Sequence, residues 1–190
     1  PDTYITIHET GNFAKGADAA AHAAYLRGSS AQAAPVSWHY TVDDHSIYQH
    51  LPDCERAYHA GDGGSGPGNA TSIGIEICVD AGGDFEQAKV NAASLVRLLM
   101  ERHDIPLDRV VQHNRWNGKD CPKTIRATAS AWEAFLALCG GQDTDPELEA
   151  AVDALAAAGI INSPERWKAL DFTANSVRLL LIKMGRYVTN

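Results

Sequence analysis

"SIGIEICVD", residues 72–80, sets a single carboxylate, Glu76, between Ile75 and Ile77. The run is short, rich in β-branched residues and closed by an acidic residue, so it reads as a buried β-strand. Glu76 is its anomaly. A carboxylate on such a strand is costly unless it is ionised in a polar cleft or paired with a cation. Two readings stand at this point: Glu76 lies on the exposed face of a one-sided sheet, or it is a general base held beside a reactive centre.

Outward from this strand, "YITIH" (4–8) and "RVVQH" (109–113) are further short β runs, and each ends on a histidine. "SWHYTVDDHSIYQHL" (37–51) fits two strands around a turn at Asp43-Asp44-His45. Helical patterns lie between them. "AKGADAAAHAAYLRG" (14–28) is Ala-rich and closed by Gly28, and residues 84–104 carry Val90, Leu95, Leu98 and Leu99 on one stripe. Residues 123–141 repeat apolar positions at Ile125, Ala129, Trp132 and Leu136 and stop at Gly140-Gly141. "GDGGSGPGNA" (61–70) reads as a loop with no helix after it and no Lys-Ser/Thr pair, so it is no phosphate cradle. Strands alternating irregularly with helices predict an α/β class, a mixed central β-sheet flanked by helices.

Beyond "GGQDTDP" the pattern changes, and residues 147–158, 164–169 and 174–187 read as three helices. Asp145-Pro146 and Ser163-Pro164 are cap-plus-first-turn starts, and Gly159 is a stop. The expected division is a domain over 1–140 and a small helical C-terminal module over 146–190. So short a segment does not easily hold its own core, which predicts docking on the main domain or self-association through its helices.

The chain of 190 residues, with 45% hydrophobic and 21% charged residues, is long enough for one full domain with a large core. A net charge of −8 argues against nucleic acid and against electrostatic attachment to anionic lipid. No apolar stretch approaches the roughly 20 residues of a membrane span, and "PDTYITIHETGNFAKG" has no signal-peptide core. The four cysteines, at 54, 78, 121 and 139, show no CxxC spacing, which excludes a zinc ribbon or a thioredoxin-type motif. Cys78 and Cys139 read as inert core thiols, Cys54 as either inert or functional, and Cys121 as the exception in a polar loop.

The stretch "RVVQHNRWNGKDCPKTI" (109–125) gives that exception its context. His8, Glu76 and His113 stand on or at the ends of expected strands, with Lys119 and Cys121 in the following loop. A lone histidine at a strand end is ordinarily a polar terminus. Two of them with a loop cysteine form an N₂S set that suits zinc with a fourth, open position, the pattern of a catalytic site. A closed structural site would need a fourth side chain, and none stands at ligand spacing.

The motifs "ITIHET", "SWHYTVD", "AYHAGDG", "SIGIEICV" and "VVQHNRWNGKDCP", in that order, resemble the type 2 N-acetylmuramoyl-L-alanine amidases. That group includes many phage endolysins and shares its fold with peptidoglycan recognition proteins. The resemblance covers roughly residues 1–139. It implies one zinc ion per chain, with His8 and His113 as its histidines and Cys121 as the third ligand. That third ligand is Asp in some members, so Asp120 competes, but the Lys-x-ligand-Pro spacing selects Cys121. It further implies Lys119 as the catalytic lysine, Glu76 as the acidic residue, Tyr40 near the metal, and His59 lining the substrate groove. The implied reaction is hydrolysis of the amide between the muramic acid lactyl group and L-alanine in peptidoglycan. The implied setting is the cell wall, reached by release from the cytoplasm or by secretion after loss of a leader.

Two other functions compete. A non-catalytic peptidoglycan-binding module of the same fold would be expected to have lost the cysteine ligand, which is present here. A transcription-regulating zinc protein disagrees with both the charge and the ligand spacing.

Overall fold

A computed structural model describes residues 3–34, 36–141 and 146–164, together with 167, 180 and 184. Five strands form one sheet in the order β3-β2-β4-β1-β5: β1 Tyr4–Glu9, β2 Tyr40–Val42, β3 Ile47–Gln49, β4 Ser72–Ile77 and β5 Val110–Gln112. β1 runs parallel to both β4 and β5, β2 runs parallel to β4, and β3 closes the edge antiparallel to β2. The sheet is therefore mixed, as expected.

Register decides which side chains meet. Ile7 pairs with Ile75, and Ile75 with Tyr40, so these three share one face. One residue on, His8 pairs with Glu76 and Glu76 with Thr41, placing these three on the opposite face. Ile7 also pairs with Gln112, and the His113 N–H donates to the Ile7 carbonyl at 3.2 Å, so His113 continues the His8 row just past β5.

The apolar face is covered by two helices. The long α4 (Phe85–His103) lays Ala88, Ala92, Ala93, Leu95, Val96 and Leu99 on the sheet, and α6 (Ala129–Cys139) adds Phe135 and Cys139. Ile5, Ile7, Ile73, Ile75 and Ile77 beneath them are fully buried, each contributing roughly 1.5–3 kcal/mol on transfer from water. Asp84 caps α4 by accepting the Gln87 N–H, and Asp104, in the left-handed region, ends it. The expected stripe on α4 is half right. Leu95 and Leu99 are buried, whereas Val90 and Leu98 are exposed because small alanines line the closest approach to the sheet.

The other face carries the short helices α1 (Ala19–Arg27), α2 (Ser29–Gln32), α3 (Pro67–Thr71) and α5 (Asn114–Asn117). Helix α3 corrects the reading of 61–70 as loop throughout: Pro67 opens it at a position where a missing N–H costs nothing. A 3₁₀ turn, Leu107–Arg109, precedes β5. Helix α6 starts at Ala129 rather than near 123, with the Thr128 side chain as its N-cap.

The chain divides into two compact units, Pro1–Gly140 and Gly141–Asn190. In the second, α7 (Pro146–Ala157) matches the expected helix over 147–158, and Gly159 ends it with φ of 67°. Val152, Ile160 and Ile161 are buried there among Leu155, Ala156, Trp167 and Leu180. The helices expected over 164–169 and 174–187 fall almost wholly outside the described residues. Among the described residues, no helix is long and apolar enough to cross a membrane.

Candidate metal centre and cleft

Parallel strands end in step, and that brings the chemistry together. His8 near the end of β1, Glu76 near the end of β4 and His113 just after β5 stand side by side on the face away from α4. The loop after α5 returns Cys121 to the same point: the Asn114 N–H donates to the Cys121 carbonyl at 3.0 Å, and Asn114 Nδ2 donates to the Lys119 carbonyl at 2.9 Å. One ligand atom each from His8, His113 and Cys121 lies within 4.8 Å of the others, and all three residues are buried.

The geometry suits a divalent ion. His8 Nδ1 is 3.9 Å from Cys121 Sγ, close to the roughly 3.6 Å that tetrahedral zinc–nitrogen and zinc–sulfur bonds would span. His113 Nε2 bonds to the Ala60 carbonyl at 2.9 Å, which leaves Nδ1 as its free nitrogen, and that atom is buried with no hydrogen-bond partner. A buried lone pair without a donor is costly in a folded protein, and a cation would satisfy it. Glu76 Oε2 is orphaned in the same way, while its Oε1 lies 3.8 Å from His8 Nδ1.

Protonation states agree with that reading. Burial, then the charges of His59, His113 and Lys119, hold His8 well below the usual imidazole value. His113 is lowered by burial and then by Lys119. Both rings are thus neutral, the form that ligates metal. Burial pushes the Cys121 thiol to about 12, with Glu76 adding to the rise, so a cation in the site would displace that proton. Glu76 is raised to about 7 by burial, against the opposing pull of Lys119. Lys119 itself is exposed on the loop.

Of the residues expected at the site, the structure gathers His8, His113, Cys121, Glu76 and Lys119. Asp120 is excluded as a rival ligand, because it is exposed and paired with Arg126. Tyr40 does not join them. It lies on the α4 face of β2, in register with Ile75, and its hydroxyl donates to Asp53 at 2.5 Å. The expectation that it stands near the metal is corrected by strand parity. His59 is buried, with its Nδ1 2.9 Å from His8 Nε2, and is not among the residues lining the two clefts described below.

Sequence reasoning missed Glu9. Its carboxylate accepts the backbone N–H of Thr124 at 2.8 and 3.0 Å and of Ile125 at 2.8 Å, tying the Cys121 loop to β1. It also missed Trp38. A cleft of about 360 Å³ opens beside Glu76 between Asn12, His22, Tyr25 and Trp38. Trp38 and Val36 are shared with a neighbouring cleft of about 490 Å³ that runs on to Arg27, His50 and Tyr58. Only the adjacency of an aromatic to "HYTV" hinted at this.

Residues 1–124 match the family model described as N-acetylmuramoyl-L-alanine amidase. The chain belongs to that family. It is 51% identical over 144 residues to the N-acetylmuramoyl-L-alanine amidase CwlH of Bacillus subtilis (strain 168), covering 76% of this chain and 55% of that protein. Against the amidase XlyA of the same organism it is 53% identical over 138 residues, 73% of this chain and 44% of the other. The chain thus spans about half the length of these curated relatives. The solved catalytic domain of XlyA superposes with a TM-score of 0.67 at 51% identity, covering 73% of this chain and 86% of that one. The fold is therefore the one shared with endolysin catalytic domains.

Proposed function

We propose that the chain is a zinc-dependent N-acetylmuramoyl-L-alanine amidase that cleaves the bond between the muramic acid lactyl group and L-alanine in bacterial peptidoglycan. The observation that carries this reading is the single row of His113, His8 and Glu76 with Cys121 closing on it, beside an open cleft. His8, His113 and Cys121 hold one zinc ion, which when bound supplies Lewis acidity to the scissile carbonyl and acidifies water.

Glu76 is the general base. It takes the proton of the attacking water and passes it to the leaving L-alanine amine. Burial raises this carboxyl above the usual carboxylate range, the direction that suits a group which must both take and give a proton. Lys119, on the exposed loop edge, meets the negative charge that develops on the carbonyl oxygen. Trp38 and Tyr25 wall the cleft next to Glu76 and hold the substrate against it. Tyr40 has no part in the chemistry.

Residues 1–140 are the catalytic domain. The module over 146–190 tunes wall targeting or associates with itself, and the protein acts at the cell wall as an endolysin. A binding module with no chemistry would have no use for a buried cysteine ligand and a carboxylate poised beside it.

Incubation with purified peptidoglycan tests the reaction. Amidase action frees L-alanine amino groups without new reducing sugars. New reducing ends, or no new ends of either kind, would overturn it.

A further inference from the structure

We propose that two successive residues, His59 and Ala60, position both histidines of the metal-binding group, and that Asn69 holds that pair in place. The inference rests on the metal reading given above and assigns work to residues that touch neither metal nor substrate.

His8 Nε2 lies 2.9 Å from His59 Nδ1, and His59 Nε2 lies 3.3 Å from the Ser72 carbonyl. A carbonyl can only accept, so His59 carries its proton on Nε2 and offers Nδ1 as an acceptor. His8 must then donate from Nε2, which leaves its Nδ1 bare and facing Cys121 Sγ. The next residue does the same for the other ligand: the Ala60 carbonyl accepts from His113 Nε2 at 2.9 Å, leaving that Nδ1 bare. One short segment therefore dictates which nitrogen each histidine presents.

Something must hold this segment, since it belongs to no strand or helix. Asn69, buried on α3, accepts the N–H of His59 at 2.8 Å and of Ala60 at 2.7 Å on one oxygen, Oδ1. Its Nδ2 donates to the Gly63 carbonyl at 3.1 Å, and its own backbone N–H donates to Asp62 Oδ1 at 3.2 Å. Asn117 adds a second donor to the Ala60 carbonyl at 2.9 Å.

The floor of the site is shaped for the same ring. A Cβ at Gly74 would stand 2.7 Å from His59 Cγ, so β4 carries a glycine where the His59 imidazole lies. Any side chain there would push the ring out of line with His8.

The test compares wild type with Asn69→Leu, His59→Leu and His59→Asn. The last keeps an acceptor near the place of Nδ1. Zinc affinity is measured by chelator competition, the ligand field by the visible bands of the cobalt-substituted protein, and folding by circular dichroism. Outer-shell partners of metal histidines typically account for 10–100-fold in affinity. The two leucine variants should therefore lose about 10–100-fold and shift the cobalt bands, whereas His59→Asn should recover most of the affinity. If Asn69→Leu fails to fold, the contrast between the two His59 variants decides. Wild type binding no zinc would sink the metal reading itself. Wild type binding zinc, with folded leucine variants equal to it in affinity and spectrum, would overturn the positioning role alone.

Discussion

The Glu9 carboxylate accepts the backbone N–H of Ile125 at 2.8 Å, so the residue that follows His8 anchors the loop that brings Cys121 up to it. Adjacent strand residues point to opposite faces, which lets His8 look into the site while Glu9 reaches under the turn after Pro122. Three hydrogen bonds converge on Glu9, which is buried.

Glu9→Gln should therefore loosen the cysteine side of the site. Hydrogen bonds to a charged acceptor contribute about 1.5–3 kcal/mol, so urea unfolding should show a loss of that size. Zinc retention during dialysis against a weak chelator should fall in parallel. An unchanged unfolding midpoint would show that Glu9 is not the anchor.

Glu76→Gln keeps the shape of the side chain and removes the proposed base. Turnover on peptidoglycan should drop about 10²–10⁴-fold with folding and bound zinc unchanged. Lys119→Ala should cost about 10²–10³-fold in kcat, since its charge is proposed to meet the transition state rather than bound substrate. A change confined to KM would make Lys119 a substrate-binding group instead.

The site was more legible than its supports. His8, Glu76 and His113 stand out because each puts a reactive group where an apolar strand ought to end or stay apolar, and Cys121 because it is a thiol in a polar loop. The face that Tyr40 occupies did not stand out, because it depends on the register of β2 against β4, and nothing within "SWHYTVD" encodes that. The start of α6 was placed too early because Ile125 fits the helical stripe. Its N–H goes to Glu9, more than a hundred residues away in sequence. Helix α3 was hidden by the Gly and Pro that flank its start. Each miss concerns a long-range partner or a local cap, which residue periodicity does not carry.

Tyr40 and Asp53 give a prediction on the opposite face. Asp53 Oδ1 accepts from Tyr40, and Oδ2 meets His103 Nε2 at 2.8 Å and Arg102 Nη1 at 3.2 Å. Burial alone would raise the Asp53 pKa, but the bonds from Tyr40, His103 and Arg102 outweigh it and hold the carboxyl below its usual value. A carboxyl lowered in the folded state adds stability that is complete above its unfolded value near 3.9 and is lost as pH falls through the folded one. Asp53→Asn should therefore be less stable than wild type at neutral pH, and the gap should narrow below about pH 4. Tyr40→Phe should cost about 1.5–3 kcal/mol in stability yet leave turnover within about twofold. A large loss of kcat with stability intact would return Tyr40 to the active site.

The final prediction concerns the second unit. Among the described residues, the sheet core from Ile5 to Cys139 lies within 1–140, and the small cluster around Val152, Ile160 and Ile161 is built from residues beyond it. A chain ending at Gly141 should therefore fold cooperatively, with a thermal midpoint within a few degrees of the full chain. It should retain zinc and cleave soluble muropeptide at an undiminished rate. On the role proposed for the module, activity on intact walls, or the oligomeric state read by light scattering, should change. Removal by truncation separates these roles from catalysis. A truncated chain that fails to fold would mean that the module is part of the catalytic core.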